Sequence, residues 1–170
     1  MSSELNINLL GRRSMIKKII LTLSLTFTSF FASAEVTLTN AIFEVVTITA
    51  KDGSQKDEWQ QPDKLLPGER VGYQVEVNNK GSEPAVDIVI ANPIPEHTVY
   101  VQDSAKGLNT SIEFSVDNGK TFALPAELFI AKNGKRVQAK VADYTQVRWK
   151  LNQPLAAGDS STVQYIVKIK

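Results

Sequence analysis

Between residues 71 and 77 the chain alternates without a fault: Val71, Tyr73, Val75 and Val77 are separated by Gly72, Gln74 and Glu76. A period of two puts the four apolar side chains on one face of an extended strand, against a core. Pro67-Gly68 supplies a turn ahead of this strand, and Asn78-Asn79-Lys80-Gly81-Ser82 closes it with residues that tolerate turn geometry. Residues 86–91 form a second apolar run, which Asn92-Pro93-Ile94-Pro95 stops, because two prolines remove ladder donors. One segment thus encodes strand, turn, strand and stop.

The same period runs through the rest of the chain. Residues 36–50 are rich in β-branched side chains and read as one long strand, or as two broken near Asn40. Phe43, Val45, Thr47 and Thr49 fall on one face and Ile42, Val46 and Ile48 on the other, so both faces are partly apolar. Residues 51–64 are polar, with a turn at Asp52-Gly53 and one large apolar side chain, Trp59. A short strand over 98–102, with Val99 and Val101 on one face, leads into a loop over 103–110. Ile112, Phe114 and Val116 then alternate up to Asp117-Asn118-Gly119-Lys120, a hairpin turn with Phe122 on its returning arm. Residues 128–131 and 136–141 flank Asn133-Gly134 as a second hairpin. Val147, Trp149 and Leu151 line one strand, with Trp149 at the centre of the core and Tyr144 ahead of it as a candidate corner tyrosine. Val163, Tyr165, Val167 and Ile169 line the last. Short alternating strands separated by turn signals predict an all-β antiparallel sandwich or barrel. No amphipathic helix pattern appears after Glu35.

The first residues follow another logic. Arg12, Arg13, Lys17 and Lys18 precede an uncharged run over 19–34 that ends Ala32-Ser33-Ala34. A basic start, an apolar middle and small residues two apart predict a signal peptide cleaved after Ala34, by the general secretory route. The run is short for a membrane anchor, which needs about 20 apolar residues. Either Met1 or Met15 serves as the start, and Arg12-Arg13 loosely resembles a twin-arginine signal. The domain plan is therefore a signal peptide over 1–34 and a single β-sandwich domain over 35–170, with no membrane span after cleavage. The chain has no cysteine, which excludes disulfides, thiol catalysis and a lipid-modified N-terminal cysteine. Residues 35–170 carry a net charge of −2, too little positive charge for a nucleic-acid partner.

With these residues placed, the chain resembles a known family: the conserved-repeat β-sandwich modules of bacterial surface and exported proteins, the eleventh numbered family of domains of unknown function. The family pattern is Pro-Gly-acid followed by Val-x-Tyr-x-Val-x-Val-x-Asn-x-Gly. Pro67, Gly68, Glu69, Val71, Tyr73, Val75, Val77, Asn79 and Gly81 match it position by position. Asn92 stands where the family usually has Asp, and Pro95 supplies the closing proline. Val147-x-Trp149-x-Leu151 with Leu155-x-x-Gly158 matches a second signature, with Ala157 in place of the usual Pro. The resemblance covers essentially all of 36–170. It implies an immunoglobulin-like antiparallel β-sandwich, periplasmic or at the cell surface, and no activity.

No stretch reads as an active site. His97, the only histidine, has no nucleophile-elbow serine to work with. One His and no Cys argue against a zinc site, and Asp117-Asn118-Gly119 lacks the rest of a calcium loop. We therefore expect no catalytic, cofactor or metal site. The expectation is a non-enzymatic structural or interaction module, an adhesin component or adaptor that binds other envelope or surface proteins through a sheet edge or loops, itself a monomer. The alternative is a glycan- or small-ligand-binding module that uses Trp59, Tyr100 and loop aromatics. More often such a Trp packs back onto the sandwich as a lid.

Charge is segregated along the chain. Residues 35–129 carry 7 basic and 15 acidic side chains, whereas 130–170 carry 8 basic and 2 acidic. Late strands pairing beside early ones would neutralise this within one molecule, with Lys150 and Lys168 across from residues such as Glu76 and Glu44. Head-to-tail assembly of copies is the other reading.

Overall fold

A computed structural model describes residues 35–170, so the expected signal peptide over 1–34 lies outside the described residues. The fold is all-β, its sheets are antiparallel throughout, and its architecture is consistent with a sandwich. In chain order the strands are β1 (Val36–Thr49), β2 (Gln55–Gln60), β3 (Arg70–Asn79), β4 (Val89–Pro93), β5 (Thr98–Tyr100) and β6 (Lys106–Gly107). They continue as β7 (Thr110–Ser115), β8 (Phe129–Lys132), β9 (Lys135–Gln138), β10 (Gln146–Leu151) and β11 (Ser160–Ile169). Single 3-10 turns at Pro125–Glu127 and Val141–Asp143 are the described helical segments. None of them is long and apolar enough to cross a membrane.

The larger sheet runs β2-β1-β3-β11-β5, with β6 also on β11; the smaller runs β4-β10-β7. Strands of period two face each other between them. Val71, Val75 and Val77 of β3 and Val163, Tyr165 and Val167 of β11 meet Ile90, Phe114, Val147 and Trp149 of the smaller sheet. Trp149 is fully buried, its ring centroid 5.9 Å from that of Tyr165. Each aliphatic side chain removed from water here contributes about 1.5–3 kcal/mol, and this burial sets the register of every core strand.

Of the two readings of residues 36–50, the single long strand holds: β1 runs unbroken through Asn40 and changes partner along its length, Val36–Glu44 pairing with β3 and Glu44–Thr49 with β2. Several other elements depart from the sequence expectation, each for a physical reason. The polar stretch 51–64 contains strand β2, which hangs on the edge of the sheet with most of its side chains in solvent. Residues 86–88 are not in a strand. Asp87 takes a left-handed φ of 54°, which interrupts the extended run, and Val86 is exposed. On β5 the inward side chain is Tyr100, with Val99 and Val101 only half-buried. The loop over 103–110 includes β6, and the arm after Asp117 returns through a single bridge, Phe114 with Ala123. Phe122 instead lies under the Arg148 guanidinium, 4.1 Å from its ring centroid.

Pro93 lies within β4 rather than beyond it, and the geometry explains why it is tolerated. Ile88 accepts from the Leu151 N–H and Ile94 donates to Thr145, so the even-numbered residues aim their backbone at β10. Val89, Ala91 and Pro93 therefore aim theirs at the free edge, where a missing N–H breaks no ladder.

The smaller sheet does not cover all of the larger one. Val36, Leu38 and Ile42 share a face with their core partners Asn79, Val77 and Tyr73, yet they are 41–55% exposed.

Candidate interaction surface

The hairpin β8–β9 stands as a sheet of its own, paired with neither large sheet. Asn133 and Gly134 take left-handed φ values of 52° and 74°, the two-residue turn that Asn-Gly favours. That turn sets the register: Lys132 faces Lys135, Ala131 faces Arg136, Ile130 faces Val137 and Phe129 faces Gln138. Ile130, Val137, Lys132 and Lys135 therefore share one face, and Phe129 and Arg136 share the other. On the second face the Arg136 guanidinium covers the Phe129 ring at 3.9 Å from its centroid. All four residues of β9 are exposed, and the base is held by the Ala139 N–H donating to the Leu128 carbonyl at 2.9 Å.

A groove of about 350 Å³ runs along the first face, lined by Ile130, Lys132, Val137, Lys140, Ala142 and Asp143. Its carboxylate is engaged: Asp143 accepts from the backbone N–H of Lys140 at 2.8 Å. The ion pairs among the described residues lie elsewhere. Arg70 meets Asp57 at 2.6 Å, and Arg148 of β10 meets Glu113 of β7, directly across the ladder. The predicted pairing of Lys150 and Lys168 with Glu76 and Glu44 does not occur. Lys150 stands across from Val89 and Ser111, and Lys168 across from Arg70 and Val99. Glu44 faces Gln60 and Val71, and Glu76 faces Thr39 and Thr162. The register, not the charge count, decides which side chains meet.

The other sequence candidates are dispersed. Trp59 packs back onto the sheet: its ring lies over Gly72 and meets Phe43 edge-on at 5.7 Å. Tyr100 is 4% exposed, its hydroxyl accepting from the Ala105 N–H at 3.0 Å, and its ring lies 4.9 Å from Phe114. Tyr144 stacks on Phe114 at 4.7 Å. The hydroxyl that ties one sheet to the other belongs to Tyr165. A cleft of about 460 Å³ opens beside these rings, with Asp103, Gln138 and Lys140 in its lining.

His97 is exposed at a φ of 62°, and its carbonyl accepts from the Lys170 N–H at 2.8 Å. Among the described residues no group of three or more His, Asp or Glu side chains is placed to hold a metal ion. Asp117 serves its own turn, accepting from the Thr121 N–H at 2.9 Å and the Thr121 hydroxyl at 2.7 Å.

The hairpin groove was not singled out by sequence. Its signal was four cations, Lys132, Lys135, Arg136 and Lys140, in a nine-residue stretch with no acid. No protein-family model matches this chain, and no curated protein matches it.

Proposed function

We propose that the chain is an exported, non-enzymatic interaction module: an immunoglobulin-like sandwich of the kind found in bacterial surface proteins, released by cleavage after Ala34. It acts in the periplasm or at the cell surface and binds a partner protein. The observation that carries this reading is the β8–β9 hairpin, which places Lys132, Lys135 and Arg136 in solvent on a sheet separate from both layers of the core. The hairpin is a charged two-stranded sheet whose second strand is exposed along its whole length, and exposed residues of that kind carried on a folded scaffold serve recognition. The glycan-binding alternative has less support, because the Trp59 ring is engaged with Gly72 and Phe43 and Tyr100 is in the core.

The test places a photo-crosslinking side chain at Arg136, and in a second copy at Lys120 as an exposed control, in the protein expressed in its own cells. Adducts from position 136 alone support the module, and their absence at 136 removes its basis. Mass spectrometry of the same exported protein should find Glu35 as the first residue. A chain that retains residues 19–34 would be anchored instead.

A further inference from the structure

Resting on that reading, we infer that the Ile130–Val137 face of the hairpin binds an acidic, extended segment of its partner. In the bound state an aliphatic side chain lies against Ile130, Val137 and Ala142, with carboxylates between Lys132, Lys135 and Lys140.

The argument starts from an unfavourable pair. The Asn133-Gly134 turn fixes Lys132 directly opposite Lys135 on one face. Like charges so placed destabilise a strand pair. No carboxylate forms an ion pair with either ammonium among the described residues, and Asp143 in the groove is committed to the backbone of Lys140. The hairpin thus keeps a repulsion that an incoming anion relieves. Four of the eight cations of residues 130–170, Lys132, Lys135, Arg136 and Lys140, lie on the hairpin or directly after it, and none of the four forms an ion pair within the described residues.

The groove's form selects a peptide over other anions. Its floor is aliphatic (Ile130, Val137, Ala142), which suits an aliphatic side chain between charged neighbours. A sugar would call for an open ring face, and the hairpin's one ring, Phe129, lies on the opposite side under Arg136. A bilayer would call for apolar residues at the leading end, and the tip reads Lys132-Asn133-Gly134-Lys135. Each strand of a two-stranded sheet also has one unpaired edge, to which an extended segment adds by backbone hydrogen bonds.

The probe is a dye-labelled peptide alternating Glu and Val, titrated with the exported protein and followed by fluorescence anisotropy. Binding should weaken roughly tenfold or more, about 1.4 kcal/mol, in the Lys132→Gln/Lys135→Gln variant. It should weaken similarly for a peptide with Gln in place of Glu. It should also weaken at about 0.5 M salt, where the Debye length is roughly 4 Å. Lys120→Gln, an exposed lysine on another turn, should leave it unchanged, and both variants should keep the parent unfolding midpoint. No binding of the Glu-Val peptide, binding indifferent to the double variant, or preferential partition onto anionic phospholipid vesicles would overturn the assignment. If the peptide fails while crosslinks at Arg136 persist, the acidic-segment assignment falls alone. If both fail, the interaction-module reading falls with it.

Discussion

Tyr165 of β11 donates its hydroxyl hydrogen bond to the carbonyl of Pro93 in β4, 2.6 Å away, and so joins the larger sheet to the free edge of the smaller one. The phenol is fully buried, stacked on Tyr73 at 5.1 Å. Burial first, and the neighbouring Tyr73 second, hold its ionisation well above the ordinary tyrosine range. A raised native pKa means that the folded state keeps a proton the unfolded state releases. The stabilisation is therefore complete below pH about 10 and declines as pH rises beyond it. Tyr165→Phe should cost about 0.5–1.5 kcal/mol near neutral pH, the net worth of one hydrogen bond. That difference should shrink as denaturant melts are moved above pH about 10. A difference that grows with pH would contradict the assignment.

Trp149 has 0% exposure, and its indole N–H has no hydrogen-bond partner among the described residues. Its place in the core rests on packing alone. Trp149→Ala should cost about 3–5 kcal/mol, a large part of a typical domain's 5–15 kcal/mol. An unchanged urea midpoint would sink the register described here.

The core strands were legible because burial imprints itself on sequence. β3, β10 and β11 carry apolar residues at every second position, and most of those rows are buried: Val71, Val75 and Val77, Val147 and Trp149, and Val163, Tyr165 and Val167, with Tyr73, Leu151 and Ile169 half-buried against them. The Asn118-Gly119 and Asn133-Gly134 turns were legible because few other residues accept the positive φ they take. What could not be read has the opposite property. β2 is a polar edge strand, and its signal is a pairing with β1 rather than a pattern of its own. Tyr100 read as a candidate surface aromatic because Val99 and Val101 competed for the inward face. The excess of lysine after residue 130 was countable, but whether it is neutralised depends on register, which no count contains.

Asn79 illustrates a long-range role behind a local signal. In sequence it is one of several residues suited to a turn; in the structure it is 1% exposed and fully used. Its side-chain amide donates to the carbonyls of Glu83, Leu155 and Ala156 at 2.7, 2.9 and 3.2 Å, and its oxygen accepts from the Gly81 N–H. It thereby fastens the end of β3 to the turn before β11. Asn79→Ala leaves three carbonyls without this donor and should cost about 1–3 kcal/mol or more. A loss below 0.5 kcal/mol, roughly that of an ordinary surface site, would show that water replaces the amide.

Gly72 stands in the row of β3 that faces away from the core, and the reason for a glycine there is found on that side of the sheet. A Cβ built there would fall inside contact distance of the Trp59 ring. Gly72→Ala should displace that ring, shift tryptophan emission to the red and cost roughly 1–3 kcal/mol. In a Trp59→Ala background the same substitution should cost much less, because the clash is gone. Equal costs in the two backgrounds would mean that residues 59 and 72 are not coupled.

The turn after β7 should respond to acid. The Asp117 carboxylate accepts from the Thr121 hydroxyl and N–H and from the Ser115 hydroxyl, which is itself held by the Gly119 N–H. Those bonds, the Thr121 hydroxyl's foremost, lower its pKa from the ordinary 3.8 to about 2. A carboxylate with a depressed native pKa stabilises the fold fully above its unfolded value, and that contribution fades as pH falls through the native one. The window is therefore pH about 4 down to about 2. Asp117→Asn keeps the side chain's size and removes its charge, so it should lower the unfolding midpoint at neutral pH. The gap to the parent should then close as melts are repeated towards pH about 2. Other carboxylates titrate equally in both proteins and cancel in the comparison. A gap of constant size across that window would show that the Asp117 charge contributes nothing to the turn.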